Sequence, residues 1–180
     1  MLEDIEEVLV TQEEIQGKVK EIAAAISRDY AGRDLVLVGV LRGATVFLSD
    51  LLKQITIPVT IDFMAISSYG PAQESSGIVR LVKDLDEQIK GRDVLLVEDI
   101  IDTGLTVSYL LRSLSARNPV SLKVCTLLDK SSRRKVPVPI AYLGFQIPDK
   151  FVVGYGLDYN QKYRNLPFVA SLKKEVFSGQ

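Results

Sequence analysis

Val94-Leu95-Leu96-Val97-Glu98-Asp99-Ile100-Ile101-Asp102-Thr103-Gly104-Leu105-Thr106 runs from an apolar stretch through paired acids, two more apolar residues and a third acid into a Thr-Gly-Leu-Thr turn. Behind it, Val107, Leu110, Leu111 and Leu114 recur at helical spacing. The apolar stretch reads as a strand covered on both faces, as in a parallel sheet, that empties through small residues into a helix. Unpaired N–H groups and the helix dipole at such a junction favour a phosphate, and Thr103, Gly104 and Thr106 offer amides, hydroxyls and close backbone approach. Glu98 and Asp99 stand at the carboxyl end of the strand, the usual ligand crevice of open α/β sheets, where carboxylates can accept hydrogen bonds from sugar hydroxyls. Singly, these features also fit a common Thr-Gly turn with solvated acids. Joined, they are much more specific, and they lack the Gly-Lys-Ser/Thr of a P-loop.

On either side the same alternation continues. Ile15, Val19, Ile22 and Ile26 form one stripe of a helix over residues 12–29, opened by the capping-box pair Thr11 and Glu14 and ended by Gly32. Leu35 to Leu41 is a second unbroken apolar strand, after which Arg42-Gly43-Ala44 turns into a helix carrying Val46, Phe47, Leu51 and Leu52. Further strands are expected at 59–66, 78–82, 122–128, 140–145 and 151–155, with a polar Ser/Gly/Pro loop over 67–77 and an exposed basic turn over 131–135. Strands alternating with amphipathic helices predict an α/β chain, one domain over residues 1–180, around a mainly parallel sheet.

Composition narrows the chemistry. With 180 residues and 47% hydrophobic content, the chain can bury a core without disulfides or a structural metal. The charges nearly cancel, 22 basic against 23 acidic, so no global field draws in nucleic acid or an acidic membrane and any anion site must be local. The acidic start lacks the pattern of a signal peptide, and no run approaches the ~18 apolar residues of a spanning helix, which predicts a cytosolic protein. Cys125 stands alone in an apolar run and reads as a small buried residue. The absence of histidine excludes His-based triads, His-ligated zinc and imidazole acid-base catalysis.

The segment from Val94 to Thr106 resembles the donor-binding signature of the type I phosphoribosyltransferases, and other segments from about residue 8 to residue 172 resemble the hypoxanthine-guanine branch of that family. The resemblance implies an α/β fold whose mainly parallel central sheet is flanked by helices, with a small hood built from N- and C-terminal segments. By it, Glu98 and Asp99 hold the ribose hydroxyls of 5-phosphoribosyl 1-pyrophosphate, and Asp102, Thr103, Gly104, Leu105 and Thr106 wrap its 5-phosphate. Leu41-Arg42-Gly43 looks like the pyrophosphate loop, with Arg42 where the family more often has lysine, and Arg164 is given a second pyrophosphate contact. Ser68-Tyr69 is similar to the head of the family's mobile lid. Lys130, which alone reads as a solvated lysine, inherits the hydrogen bond to O6 of a purine. Phe151, which alone reads as a core aromatic, becomes the stacking residue beside Val152 and Asp158, while Gly156 is read as a tolerated variation. Glu98, Asp99 and Asp158 are the implied magnesium contacts.

The implied reaction is purine salvage, in which hypoxanthine or guanine displaces magnesium pyrophosphate to give IMP or GMP, in a cytoplasmic homodimer or homotetramer. Asp102 is the candidate catalytic proton acceptor, since it lies in the phosphate turn near the base and no histidine competes for the task. Two rivals share these motifs: a xanthine-preferring relative, and a donor-sensing regulator that keeps the fold without turnover.

Overall fold

A computed structural model describes residues 1–68 and 79–177. In chain order the elements are β1 (Ile5–Val10), α1 (Gln12–Asp29), β2 (Leu35–Leu41), α2 (Thr45–Gln54), β3 (Val59–Ser68), β4 (Val79–Lys83) and β5 (Asp93–Ile101). They continue with α3 (Leu105–Ser115), β6 (Ser121–Asp129), β7 (Ile140–Gln146), β8 (Val152–Val153), β9 (Val169–Leu172) and a short α4 (Lys174–Phe177). The larger sheet has the order β4-β3-β2-β5-β6-β7. All its pairings are parallel except that of β4 with β3.

From Val94 to Val97 the side chains of β5 alternate between two cores, which is why that run is apolar without a break. Leu95 and Val97 pack with Ile15, Ile22, Ile26, Phe47 and Leu51 of α1 and α2. Val94, Leu96 and Ile101 face Val107, Leu110 and Leu114 of α3 on the other side. Cys125 is buried in the first of these cores, as its apolar setting predicts. The capping box of α1 forms as expected: Glu14 N–H donates to Thr11 Oγ1 at 3.2 Å and Thr11 N–H to Glu14 Oε2 at 2.8 Å.

A second, three-stranded sheet has the order β1-β9-β8 and joins the two ends of the chain as the hood that the resemblance implies. Its pairings are antiparallel, with Val8 opposite Ala170 and Val152 opposite Ser171. Polar ties hold it: the Tyr163 hydroxyl donates to Asp4 Oδ2 at 2.9 Å, the Ser171 hydroxyl reaches Glu6 at 3.1 Å, and Lys150 pairs with Glu7. The strand expected over 151–155 is corrected in both length and place. Only Val152–Val153 is strand, and it belongs to the hood, because positive φ at Gly154, Tyr155 and Gly156 ends the extended run. Patterning also missed β1 and β9, which are short and carry no clear alternation. Ser68 ends β3, whereas Tyr69 and the remainder of the expected lid loop lie outside the described residues. Among the described residues no helix is long and apolar enough to cross a membrane.

Thr11→Ala removes one half of the reciprocal cap and is expected to lower unfolding free energy by ~0.5–2 kcal/mol. Denaturant titration measures the loss. Turnover should be unchanged, because the cap lies outside the ligand edge of the sheet.

Candidate active site

Parallel pairing brings the carboxyl ends of β2, β5 and β6 to one edge, with Gly39 opposite Val97 and Ile101 opposite Asp129. A cavity of about 240 Å³ opens there, lined by Leu41, Gly43, Glu98, Asp99, Asp102, Thr103, Gly104 and Thr106 among others. Gly104 is the N-cap of α3 at φ +83° and has no side chain of its own to cap the helix. Only glycine fits this position: a Cβ here would lie 2.7 Å from the Val136 carbonyl oxygen. Leu105 does not line the cavity, and its N–H is 3.4 Å from Thr103 Oγ1. Of the expected Asp102–Thr106 set, Asp102, Thr103, Gly104 and Thr106 line the cavity.

The paired acids, Glu98 buried and Asp99 partly so, sit where their charge is disfavoured. Glu98 is 5% exposed, and burial, reinforced by the neighbouring Asp99 charge, pushes its pKa well above the usual carboxylate range. Burial also raises Asp99 to about 6, against the opposing pull of the Ile100 N–H, which donates to its Oδ1 at 2.7 Å, and of the Arg164 charge. Asp99 is seated on backbone, since a Cβ on Gly43 would lie 1.6 Å from its Oδ2. Gly43 is in turn covered by Gly156, where a Cβ would come 2.1 Å from the Gly43 carbonyl oxygen. Gly156 also has φ +101°, so in this backbone it is a requirement rather than a tolerated variation.

The pyrophosphate-side residues meet across this stack. The Leu41–Arg42 peptide is cis. Arg42 Nη1 donates to Gln161 Oε1 at 3.1 Å, and Arg164 Nη2 reaches the same oxygen at 3.3 Å. Arg164 also donates to the Gly156 carbonyl at 2.7 Å and pairs with Asp158 Oδ1 at 2.7 Å. The other Asp158 oxygen accepts the Gln161 N–H at 2.8 Å. Gln161, which sequence reading passed over, thus bridges the two arginines.

On the base side Lys130 is 6% exposed, so it is not the solvated lysine that its isolated sequence position suggested. Burial lowers its pKa, opposed by the charges of Asp102 and Asp149. A cavity of about 580 Å³ is lined by Lys130, Arg133, Asp149, Phe151 and Phe177 among others. Phe151 is 41% exposed, with Phe177 stacked on it at 5.2 Å between centroids and Tyr159 meeting its ring edge-on at 5.5 Å. It is a surface aromatic with ring neighbours, not a core residue. Val152 beside it is buried. Arg133 links the two cavities: its Nε lies 3.3 Å from Asp102 Oδ1 and its Nη1 3.6 Å from Asp149. The Asp102 contact is an ion pair without hydrogen-bond alignment, which leaves buried Asp102 Oδ1 with no hydrogen-bond donor.

The chain's similarity to known proteins agrees with this geometry. Residues 7–160 match the phosphoribosyl transferase domain. This chain belongs to the phosphoribosyl transferase family. Relatives include the hypoxanthine-guanine phosphoribosyltransferase of Mycobacterium avium, 51% identical over 97% of this chain and 89% of that one. The Bacillus subtilis protein of the same name is 50% identical over 98% of each chain. The crystal structure of a Staphylococcus aureus hypoxanthine phosphoribosyltransferase superposes with a TM-score of 0.95 at 48% identity, covering 98% of this chain and 96% of that one.

As a phosphoribosyl transferase, the chain gathers most of its expected site residues at one sheet edge. Among the described residues no group of three or more acidic, cysteine or histidine side chains is placed to hold a metal ion. The Asp158 carboxylate is turned onto Arg164 and the Gln161 amide. The basic turn after Lys130 is largely exposed, as expected, with Arg134 partly buried, and its Arg133 and Arg134 pair with Asp102 and Asp129. No periodic pattern marks these pairings, which arise between separate strand ends.

The Asp99 shift has a definite sign. Between 3.8 and about 6 the folded chain keeps a proton that the unfolded chain releases, so stability falls as pH rises through that window and stays lowered above it. Asp99→Asn should therefore raise the melting temperature at pH 7.5 by roughly 2–4 °C, the shift that ~1 kcal/mol produces in a domain of this size. The gain should vanish below about pH 4, where both states are protonated. Scanning calorimetry across pH tests this.

Proposed function

We propose that this protein transfers the phosphoribosyl group of magnesium-bound 5-phosphoribosyl 1-pyrophosphate to hypoxanthine or guanine, yielding IMP or GMP and pyrophosphate in the cytoplasm. One observation carries the reading beyond family membership: a buried lysine, Lys130, stands at the sheet edge beside the phosphate turn and shares a cavity with the exposed ring of Phe151. A buried ammonium is a strong donor for a 6-oxo group, and the aromatic face suits a planar base. The relatives' names agree on this substrate class.

In this reading the turn amides and hydroxyls of Thr103, Gly104 and Thr106 hold the 5-phosphate, while Glu98 and Asp99 accept hydrogen bonds from the ribose hydroxyls. Arg42 and Arg164, already drawn together by Gln161, receive the pyrophosphate as negative charge grows on it. The adjacent, crowded acids fit a hard divalent ion carried in on the donor's phosphates better than a protein cage, with Asp158 as a further contact. When bound, magnesium supplies neutralisation of the leaving group. As the bond from C1 of the ribose to pyrophosphate breaks and that to the purine nitrogen forms, the base loses a proton. Asp102 is the residue to take it: its Oδ1 has no competing hydrogen-bond donor, and the Arg133 charge steadies the side chain. Phe151 stacks on the base and the Val152 backbone pairs with its edge. The xanthine-preferring and donor-sensing alternatives are not favoured by the similarity to hypoxanthine-guanine enzymes.

Asp102→Asn keeps shape without basicity and should lower kcat ~10²–10⁴-fold, the usual worth of a general base, with donor affinity little changed. Pre-steady-state turnover measures this, and full-speed chemistry in the variant would remove Asp102 from the role. Adenine should be a poor substrate by ~10⁴–10⁵, since its amino group would face the Lys130 donor in a desolvated pocket. Pyrophosphate release measured across a panel of bases, on the parent and on Lys130→Ala, is the direct assay. Equal use of adenine and hypoxanthine by the parent contradicts the 6-oxopurine reading, and donor binding without turnover on any base returns the sensor.

A further inference from the structure

Arg134 was not among the residues that sequence or resemblance marks for the site, yet it is two-point bonded directly behind the phosphate turn. Its guanidinium pairs with Asp129 at the end of β6, and the two side chains are only 17% and 6% exposed. Its Nε donates to the Asp102 carbonyl oxygen at 3.0 Å. The next two residues continue the grip: the N–H groups of Lys135 and Val136 donate to the Thr103 carbonyl at 2.9 and 3.2 Å. The same segment presses against Gly104, where a Cβ would lie 2.9 Å from Arg134 Cδ and 2.7 Å from the Val136 oxygen.

These bonds fix the polarity of the turn. In a planar trans peptide the C=O and N–H point in opposite directions, so a carbonyl tied back turns the following N–H forward. Holding the Asp102 and Thr103 carbonyls toward residues 134–136 faces the amides of Thr103 and Gly104 the other way and takes two acceptor oxygens out of an anion's path. A buried guanidinium is tolerated only with a carboxylate partner, which Asp129 provides. Asp129 also precedes Lys130, whose own N–H donates to the Ile101 carbonyl at 2.9 Å, so the ends of β5 and β6 are joined at the same place.

We propose that Arg134, anchored by Asp129, is a positioning residue that makes the Asp102–Thr106 turn receptive to phosphate. This rests on the reading of that turn as the 5-phosphate site. Arg134 touches no substrate and acts by orienting the peptide units that do. A lysine at position 134 can satisfy Asp129 but lacks the planar fork that also reaches the Asp102 carbonyl.

The test is calorimetric titration of the parent, Arg134→Ala, Arg134→Lys and Asp129→Asn with ribose 5-phosphate and, separately, with magnesium pyrophosphate. Ribose 5-phosphate should bind Arg134→Ala ~10- to 100-fold more weakly, the worth of a lost hydrogen bond from a charged group, with Arg134→Lys in between. Pyrophosphate, read by Arg42 and Arg164, should change less than about 3-fold by the same scale. If Arg134→Ala does not fold, Arg134→Lys and Asp129→Asn carry the same comparison. Parent-like ribose 5-phosphate affinity in the folded variants overturns the proposal, and so does an equal loss for both ligands, which would mark general damage to the fold. A parent that binds pyrophosphate but not ribose 5-phosphate would instead remove the 5-phosphate reading on which the proposal stands.

Discussion

Parallel pairing of β2, β5 and β6 is the constraint on which the rest of this molecule depends. Parallel strands need crossover connections, and here α2 and α3 begin those crossovers, one on each face of the sheet. The strands consequently end side by side, and every segment that leaves them starts at the same edge: Arg42-Gly43 after β2, Asp102–Thr106 after β5 and Lys130 after β6. The two faces are sealed by apolar packing, so that edge is where polar groups of the central strands can meet a ligand.

Polar groups are concentrated there at a cost in stability. Glu98 and Asp99 are adjacent carboxylates held in a buried setting that raises both pKa values, and Lys130 is an ammonium whose pKa burial lowers. Each shift records an interaction less favourable to the charged form than water, and a donor bearing sugar hydroxyls, phosphates and a cation would relieve them. The glycines work in the same direction. Gly43 lets Asp99 rest on bare backbone, and Gly156 lets a second strand of backbone cover Gly43, so three segments far apart in sequence meet without side chains between them.

The hood solves a different problem, that of tying the two ends of the chain together beside this edge. Its strands are short, and polar ties between the chain ends, such as Tyr163 to Asp4 and Lys150 to Glu7, supplement its small apolar core. It carries Phe151 and Val152 into place, and Phe177 from α4 stacks on the Phe151 ring. One cavity thus opens at the edge of the main sheet and the other beside the hood, and Arg133 reaches toward both through Asp102 and Asp149.

The sequence by itself determined the fold class, the central strands and the phosphate turn. Leu35–Leu41 and the Val94–Val97 run announce themselves because burial on both faces demands apolar side chains, and the helices do so through their 3.6-residue period. Those are local signals, each complete within a dozen residues. Resemblance added the roles of Arg42, Lys130, Phe151, Asp158 and Arg164, none of which composition or spacing could assign. Only the folded chain shows that Gly156 must be glycine, that Gln161 joins the two arginines, that Arg133 and Arg134 reach Asp102, and that Val152–Val153 pair in the smaller sheet. Each of those depends on a partner that chain topology brings from a distant segment, so the information lies in the pairing of strand ends and not in any window of sequence.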